Sequence, residues 1–157
     1  MKLYLMQHAL AYSAEEDRER PLTPTGISQA KATASGIKRL GLEFDLIVTS
    51  PKRSAHQTAA LVAERVRFPY SDILTTELAL PNQAPQVLLE LLKQEPANSR
   101  ILVVGHQPQM AKVAAMLMQG GTVLIENAGL TCFEIEPTGQ SSRLEFHLRA
   151  EQLALIS

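Results

Sequence analysis

Short runs of almost wholly apolar residues recur along this chain, and each run is followed by polar residues and then by a helical pattern. The clearest runs are Leu3–Met6, Leu46–Val48 and Ile101–Val104, and Ile73–Leu74 is a weaker one. A run without polar alternation is typical of a strand buried on both faces, as in parallel sheets. Strands that alternate with helices predict an α/β fold, a three-layer sandwich with a mostly parallel central sheet.

The helices between these strands are predicted from apolar residues that recur three and four positions apart. The first begins near Thr23 or Thr25, either of which is a suitable N-cap, and ends before Gly41. The later helices are expected at Ala55–Val66, Val87–Leu92 and Gln109–Met118.

The last third of the chain changes character. Thr131–Ile135 and Arg143–Leu148 flank the turn-like segment Glu136–Gly139. Two strand-like segments around a short turn predict a C-terminal hairpin. A length of 157 residues suits one domain, so we expect a single domain over residues 1–157.

Composition excludes several classes of protein. The formal charge is −1 and the isoelectric point is near 6.4, so there is no basic footprint for a nucleic-acid partner. No run approaches the roughly 20 apolar residues of a membrane span, so no membrane partner is expected. The chain has 1 cysteine, Cys132, which cannot form an internal disulfide. We therefore expect a cytoplasmic protein.

Histidines follow two of the predicted strands. In open α/β sheets ligands bind outside the carboxyl ends of the strands. Here those ends are Gln7-His8, Thr49-Ser50, Thr75–Glu77 and Gly105-His106. The chain has only 4 histidines, so two at strand ends indicate a functional site.

A pair of histidines at such an edge suits phosphoryl chemistry. A neutral imidazole is a nucleophile that forms a covalent intermediate with a phosphoryl group. The charge on the phosphoryl oxygens must then be met by fixed donors. Candidates are His106, Arg53, Lys52, Arg20 and the helix N-termini after Pro51 and Pro108. No cluster of cysteine and histidine has zinc-ligand spacing, so neither a metal nor another cofactor is expected.

Four segments, in order, resemble the motifs of the histidine phosphatase superfamily, whose fold is phosphoglycerate mutase-like. Together with the short length, they are most similar to the SixA-type phosphohistidine phosphatases. The resemblance runs from Leu3 to about Leu117. Its segments are Leu5-Met6-Gln7-His8-Ala9, Arg20-Pro21-Leu22-Thr23 with Gly26 and Gln29-Ala30, Thr49-Ser50-Pro51 through Gln57-Thr58-Ala59, and Val104-Gly105-His106-Gln107-Pro108.

The resemblance implies specific roles. His8 would be the nucleophile that accepts the phosphoryl group, and His106 would contact the phosphoryl oxygens. Two arginines normally complete the pocket, and no metal takes part. The small members remove phosphate from phosphohistidine on partner proteins, and Glu77 lies where larger relatives keep a carboxylate acid. The short stretch between Glu77 and Arg100 leaves little room for the cap of relatives that act on small phosphoesters.

Two positions depart from the superfamily pattern. The first arginine falls on Gln7, which donates hydrogen bonds but carries no charge. The second falls on Ser54, while Arg53 lies one position earlier, about 100° away around a helix. Loss of one such donor costs about 10²–10³ in rate in other enzymes. Gln7, Arg53 and Arg20 remain the predicted phosphate-binding residues, and Lys52 is a further source of charge.

The same residues also have purely structural interpretations. Arg53 also suits a surface helix, Arg20 a loop salt bridge, and Gln7 a backbone hydrogen bond. For the whole protein the alternatives are a weakly active or inactive module that binds phosphate or phosphohistidine, a phosphatase of small phosphoesters, and a structural protein without a site. His56 and His147 are expected to be solvated, and Cys132 is expected in the core.

Overall fold

The computed structural model describes residues 1–157 and contains one six-stranded sheet with five α-helices. In chain order the elements are β1 (Lys2–Gln7), α1 (Pro24–Arg39), β2 (Leu46–Thr49), α2 (Arg53–Val66), β3 (Leu74–Thr75), α3 (Pro85–Leu92), β4 (Arg100–Gly105), α4 (Gln109–Leu117), β5 (Leu130–Ile135), β6 (Ser142–Leu148) and α5 (Ala150–Ile156). The 3₁₀ turns are Tyr70–Asp72 and Glu77–Ala79.

The sheet has the order β3-β2-β4-β1-β5-β6. Strands β1 to β4 pair in parallel, whereas β5 runs antiparallel to both β1 and β6. This topology confirms the predicted mostly parallel sheet with a C-terminal hairpin. It also places β4 directly beside β1, although helices and other strands separate them along the chain.

The core lies in two layers, one on each side of the sheet. On one side Leu3 and Leu5 pack with residues of α3 and α4. On the other side Tyr4 and Met6 pack with residues of α1, α2 and α5. Because successive strand residues point to opposite faces, one apolar run supplies both layers. Helices on both faces of the sheet make the predicted three-layer sandwich.

The sequence did not predict α5. Its seven residues are too few to show a helical period, and its stability depends on packing against α1. Gly36 on α1 makes that packing close, because a Cβ there would collide with the carbonyl of Leu153. The predicted third strand is also shorter than a typical strand, since β3 pairs only Leu74 and Thr75 with β2.

Candidate active site

His8 and His106 lie side by side at the carboxyl edge of the parallel strands. Gln7 on β1 is in register with Gly105 on β4, so the two histidines follow their strands at the same level. The backbone N–H of His8 donates to the carbonyl of Gly105 over 3.0 Å. The ring centroids are 5.1 Å apart, and the ring planes are inclined by 60°. The predicted meeting of the two imidazoles is therefore confirmed.

One ring nitrogen of His8 is fixed by the backbone. Its Nδ1 lies 2.7 Å from the carbonyl oxygen of Ala9. A carbonyl only accepts, so Nδ1 carries the proton and Nε2 keeps its lone pair. Burial lowers the pKa of His8, and the charges of Arg20 and Lys52 lower it further. At neutral pH His8 is thus an uncharged imidazole with a free Nε2.

His106 is more deeply buried than His8, with 4% of its surface exposed. Its Nε2 lies 2.7 Å from the hydroxyl oxygen of Ser50, and that oxygen accepts from the backbone N–H of Lys52 over 3.3 Å. Burial, followed by the nearby His8, lowers the pKa of His106 to about 3. This ring is therefore neutral at pH 7, and Ser50 holds its orientation.

The motif residues of α2 support the loop after β1. The Thr58 hydroxyl accepts from the N–H of Ala9 over 3.0 Å, and the Gln57 side chain accepts from the N–H of Leu22 over 2.8 Å. Both acceptors lie one or two helical turns beyond the start of α2. They tie the backbone next to His8 to the rigid helix α2.

The motif residues of α1 hold the same loop from the other side. The Gln29 side chain accepts from the N–H of Leu10 over 3.1 Å. Gly26 lies against Leu10 so closely that a Cβ would collide with its carbonyl. The residues that resemble the superfamily motifs therefore fix the backbone around His8, in addition to any contact with a ligand.

The two histidines open into a cavity of about 490 Å³. Three amide side chains and Ser54 also line it, and the cationic side chains Arg18, Arg20, Lys52 and Arg53 are exposed around it. The full lining is Gln7, His8, Leu10, Ala11, Arg18, Glu19, Arg20, Lys52, Arg53, Ser54, Pro81, His106, Gln107 and Asn127.

The predicted phosphate-binding residues all line this cavity, but their environments differ. Arg53 Nη1 lies 2.7 Å from the carboxylate of Glu19, and over half of its side chain is exposed. Arg20 donates from Nε to the carbonyl of Tyr12 over 3.3 Å. Its φ of 51° is in the left-handed region, which a non-glycine residue seldom adopts. Both arginines reach the cavity from its edge.

Sequence reasoning missed several residues of the site. Asn127 donates to the carbonyl of His8 over 2.7 Å, yet it lies in an irregular segment that has no local signal. Arg18 lines the cavity from the loop between β1 and α1, and no motif or strand end marks its position in the sequence. Ser50 was predicted as a strand-end residue, as His8 was, but its bond to His106 was not predicted. Glu77, at the position where larger relatives were expected to keep a carboxylate acid, is exposed and does not line the cavity.

No helix is both long and apolar enough to cross a bilayer. The structure contains no group of three or more histidine, cysteine, aspartate and glutamate side chains placed to hold a metal ion. The remaining histidines lie away from the cavity. His56 faces Tyr70, and His147 bonds to Thr131.

Comparison with known proteins agrees with this geometry. Residues 3–79 match the model of the histidine phosphatase superfamily (branch 1). Phosphohistidine phosphatase SixA of Escherichia coli (strain K12) is 30% identical over 125 residues, which cover 78% of this chain and 77% of that protein. The chain belongs to the histidine phosphatase superfamily. Within the superfamily it is of the SixA type.

Solved structures confirm the phosphoglycerate mutase-like fold. The protein histidine phosphatase SixA complexed with tungstate superposes with a TM-score of 0.88 at 22% identity, over 98% of this chain and 99% of that one. Phosphoserine phosphatase of Entamoeba histolytica in complex with 3-phosphoglyceric acid superposes with a TM-score of 0.72 at 21% identity, over 97% and 98%.

Membership of the histidine phosphatase superfamily makes the chain a hydrolase of the phosphatase class. The two positions where the superfamily motifs carry arginine are Gln7 and Ser54, and both line the cavity. Ser54 is 5% exposed, so a short neutral side chain lies in the wall of the cavity at the arginine position. Arg18, Arg20, Lys52 and Arg53 supply the positive charge of the site.

Proposed function

We propose that this protein removes phosphate from a phosphorylated histidine of a partner protein, through a covalent phosphohistidine intermediate on His8. The observation that carries the proposal is the pair of neutral imidazoles, 5.1 Å apart, inside a cavity lined by cations. An uncharged His8 with a free Nε2 is ready to attack phosphorus. His106 and the surrounding donors would hold the phosphoryl oxygens.

The reaction has two steps. His8 Nε2 donates its lone pair to phosphorus, and the bond from phosphorus to the leaving nitrogen breaks as the leaving imidazole keeps the electron pair and takes a proton from solvent. Water then attacks phosphorus and gives up a proton to solvent, the bond to Nε2 breaks, and inorganic phosphate leaves with His8 restored. An imidazole leaves more easily than an alkoxide, so the exposed position of Glu77 is no obstacle to this substrate. No metal is required by either step.

The type of substrate is supported by the relatives and by the cavity. The Escherichia coli relative is a phosphohistidine phosphatase, which favours a phosphorylated protein as the partner. The cavity is polar, with cations exposed around it, and suits a phosphorylated side chain that projects from a larger surface. A cytoplasmic location stays a prediction, consistent with the lone buried thiol of Cys132.

Two observations favour other functions. Gln7 and Ser54 replace charged residues, which favours a module that binds phosphate or phosphohistidine but turns it over slowly. The fold is shared with a phosphoserine phosphatase, which favours action on a small phosphoester. In both cases the same cavity would hold the phosphoryl group.

The deciding experiment measures phosphate release from a phosphohistidine-bearing protein and from small phosphoesters. We expect release from the phosphohistidine protein by the wild type and a loss of about 10³-fold or more in His8→Ala, because the nucleophile is removed. His56→Ala is the matched control, since its ring lies on α2 against Tyr70, away from the cavity.

Each other outcome has a clear meaning. Turnover that survives in His8→Ala refutes the role of His8 as the nucleophile. Release from small phosphoesters alone favours a phosphatase of small phosphoesters. Retention of phosphate binding with no release from any substrate favours the binding module. Detection of phosphate on His8 after rapid quenching would support the covalent intermediate directly.

A further inference from the structure

Helix α2 begins at the cavity with free backbone donors. No side chain caps it, and its first turn contains no acidic residue. The N–H groups of Arg53 and Ser54 have no backbone acceptor, as expected for the first positions of a helix. By contrast, the hydroxyl of Thr23 caps α1 by accepting from Gly26 over 2.9 Å. The start of α2 is thus left open to an anion.

Ser54 provides a second and independent sign of a ligand. The residue is 5% exposed, and it lines the cavity. Its backbone carbonyl accepts from Thr58, but its hydroxyl bonds to no other group of the protein. Because this hydroxyl has no partner and its oxygen is not fully enclosed, it is open to the cavity, where a ligand can bond to it. This hydroxyl lies where the superfamily motif has an arginine.

Lys52 adds a cation at the same place. It is the N-cap residue of α2, it is exposed, and it lines the cavity. Unlike Arg53, which pairs with Glu19, Lys52 forms no ion pair. Its charge lowers the pKa of both His8 and His106, as expected of a cation that faces the two rings.

We propose that the first turn of α2, with the Ser54 hydroxyl and the Lys52 ammonium group, binds the phosphoryl oxygens in place of the two missing arginines. This inference rests on the proposed function and assigns the phosphate contacts within it. Oriented N–H groups at a helix start favour negative charge, and an ammonium group adds charge-assisted hydrogen bonds. The site thus holds the phosphoryl group without an arginine at either motif position.

The test measures the affinity for inorganic phosphate by calorimetry. We expect Lys52→Gln and Ser54→Ala each to raise the Kd by about tenfold, the loss typical of one hydrogen bond to a charged group. Lys31→Gln is the control, because it removes an equal charge from α1 outside the cavity. Its Kd should equal that of the wild type.

A further variant separates binding from folding. Ser54→Asp places a carboxylate in the first turn of α2, where negative charge stabilises a helix. We expect the variant to unfold at the same temperature as the wild type. Phosphate binding should be lost, because the new carboxylate repels the anion. Retained binding in Ser54→Asp would contradict the proposal.

The outcomes distinguish this proposal from the proposed function. If Lys52→Gln and Ser54→Ala bind phosphate as the wild type does, or if the wild type binds none, the inference is wrong. Turnover by a wild type whose variants bind normally would refute the inference and leave the function intact. Weaker binding in both variants of a protein that releases no phosphate from phosphohistidine would support the inference and refute the function.

Discussion

Two histidines of this protein bond to the hydroxyl of a serine or threonine, but only one of them lies in the candidate active site. His106 bonds to Ser50 over 2.7 Å, and His147 bonds to Thr131 over 2.8 Å. Burial lowers the pKa of each ring. The difference is position: His106 follows a parallel strand at the carboxyl edge, whereas His147 lies within β6 of the antiparallel hairpin.

The comparison shows what makes a histidine functional here. A hydroxyl partner and a lowered pKa are common to both rings. Of these two histidines, only His106 has a second imidazole, that of His8, at 5.1 Å between ring centroids. It also lines a cavity with cations around it, whereas His147 does not. Neighbours contributed by other strand ends therefore distinguish the catalytic candidate, and they come from the parallel half of the sheet.

The largest expected difference between the two rings is in the reaction rate. His106→Ala should lower the rate of phosphate release by about 10²–10³-fold, the loss typical of one donor to the developing charge. His147→Ala should leave the rate unchanged, because its ring does not line the cavity. Steady-state kinetics on the phosphohistidine protein measure the rates of both variants. An equal loss of rate in His106→Ala and His147→Ala would contradict the comparison.

The two rings should also differ in how they link stability to pH. The folded pKa of His106 is about 3, whereas the ordinary value is near 6.5. Below 6.5 the unfolded chain takes up a proton that the folded protein refuses, so stability falls as the pH falls, down to about 3.

Between pH 7 and pH 5 this linkage amounts to about 2 kcal/mol from His106 alone. The free energy of unfolding, measured in urea, should change between the two pH values by about 2 kcal/mol less in His106→Asn than in the wild type. His147→Asn should remove a smaller part, since its ring is only partly buried. If the free energy of unfolding of His106→Asn depends on pH as that of the wild type does, the His106 ring is not held neutral.

The smallest expected difference concerns the hydroxyl partners. Ser50→Ala should lower the rate by about tenfold, a cost near 1.4 kcal/mol, because His106 loses the bond that orients it. It should also shift the pH profile of the rate. Thr131→Ala should cost about 1 kcal/mol of stability and leave both the rate and the profile unchanged. Ser50→Thr, which keeps the hydroxyl, should restore part of the rate.

Much of the fold was predictable because its signals are local. Leu3–Met6 and Ile101–Val104 are apolar throughout, and they form the strands that precede His8 and His106. The prediction for His147 was wrong in part. Alternation along β6 does turn it away from Phe146, but it then lies opposite the buried Thr131 rather than in solvent. That outcome depends on a neighbouring strand, which no local pattern contains.

The sequence by itself determined which segments become strands and which residues end them, because burial on both faces requires an unbroken apolar run. It also identified the loop supports Gln57 and Thr58 as motif residues, without showing what they hold. Only the tertiary structure decided that β4 lies beside β1 and that Asn127, Ser50 and the open start of α2 meet there. Strand order and side-chain contacts are selected by the free energy of packing between segments that are distant in the chain. The sequence of any one segment therefore does not reveal them.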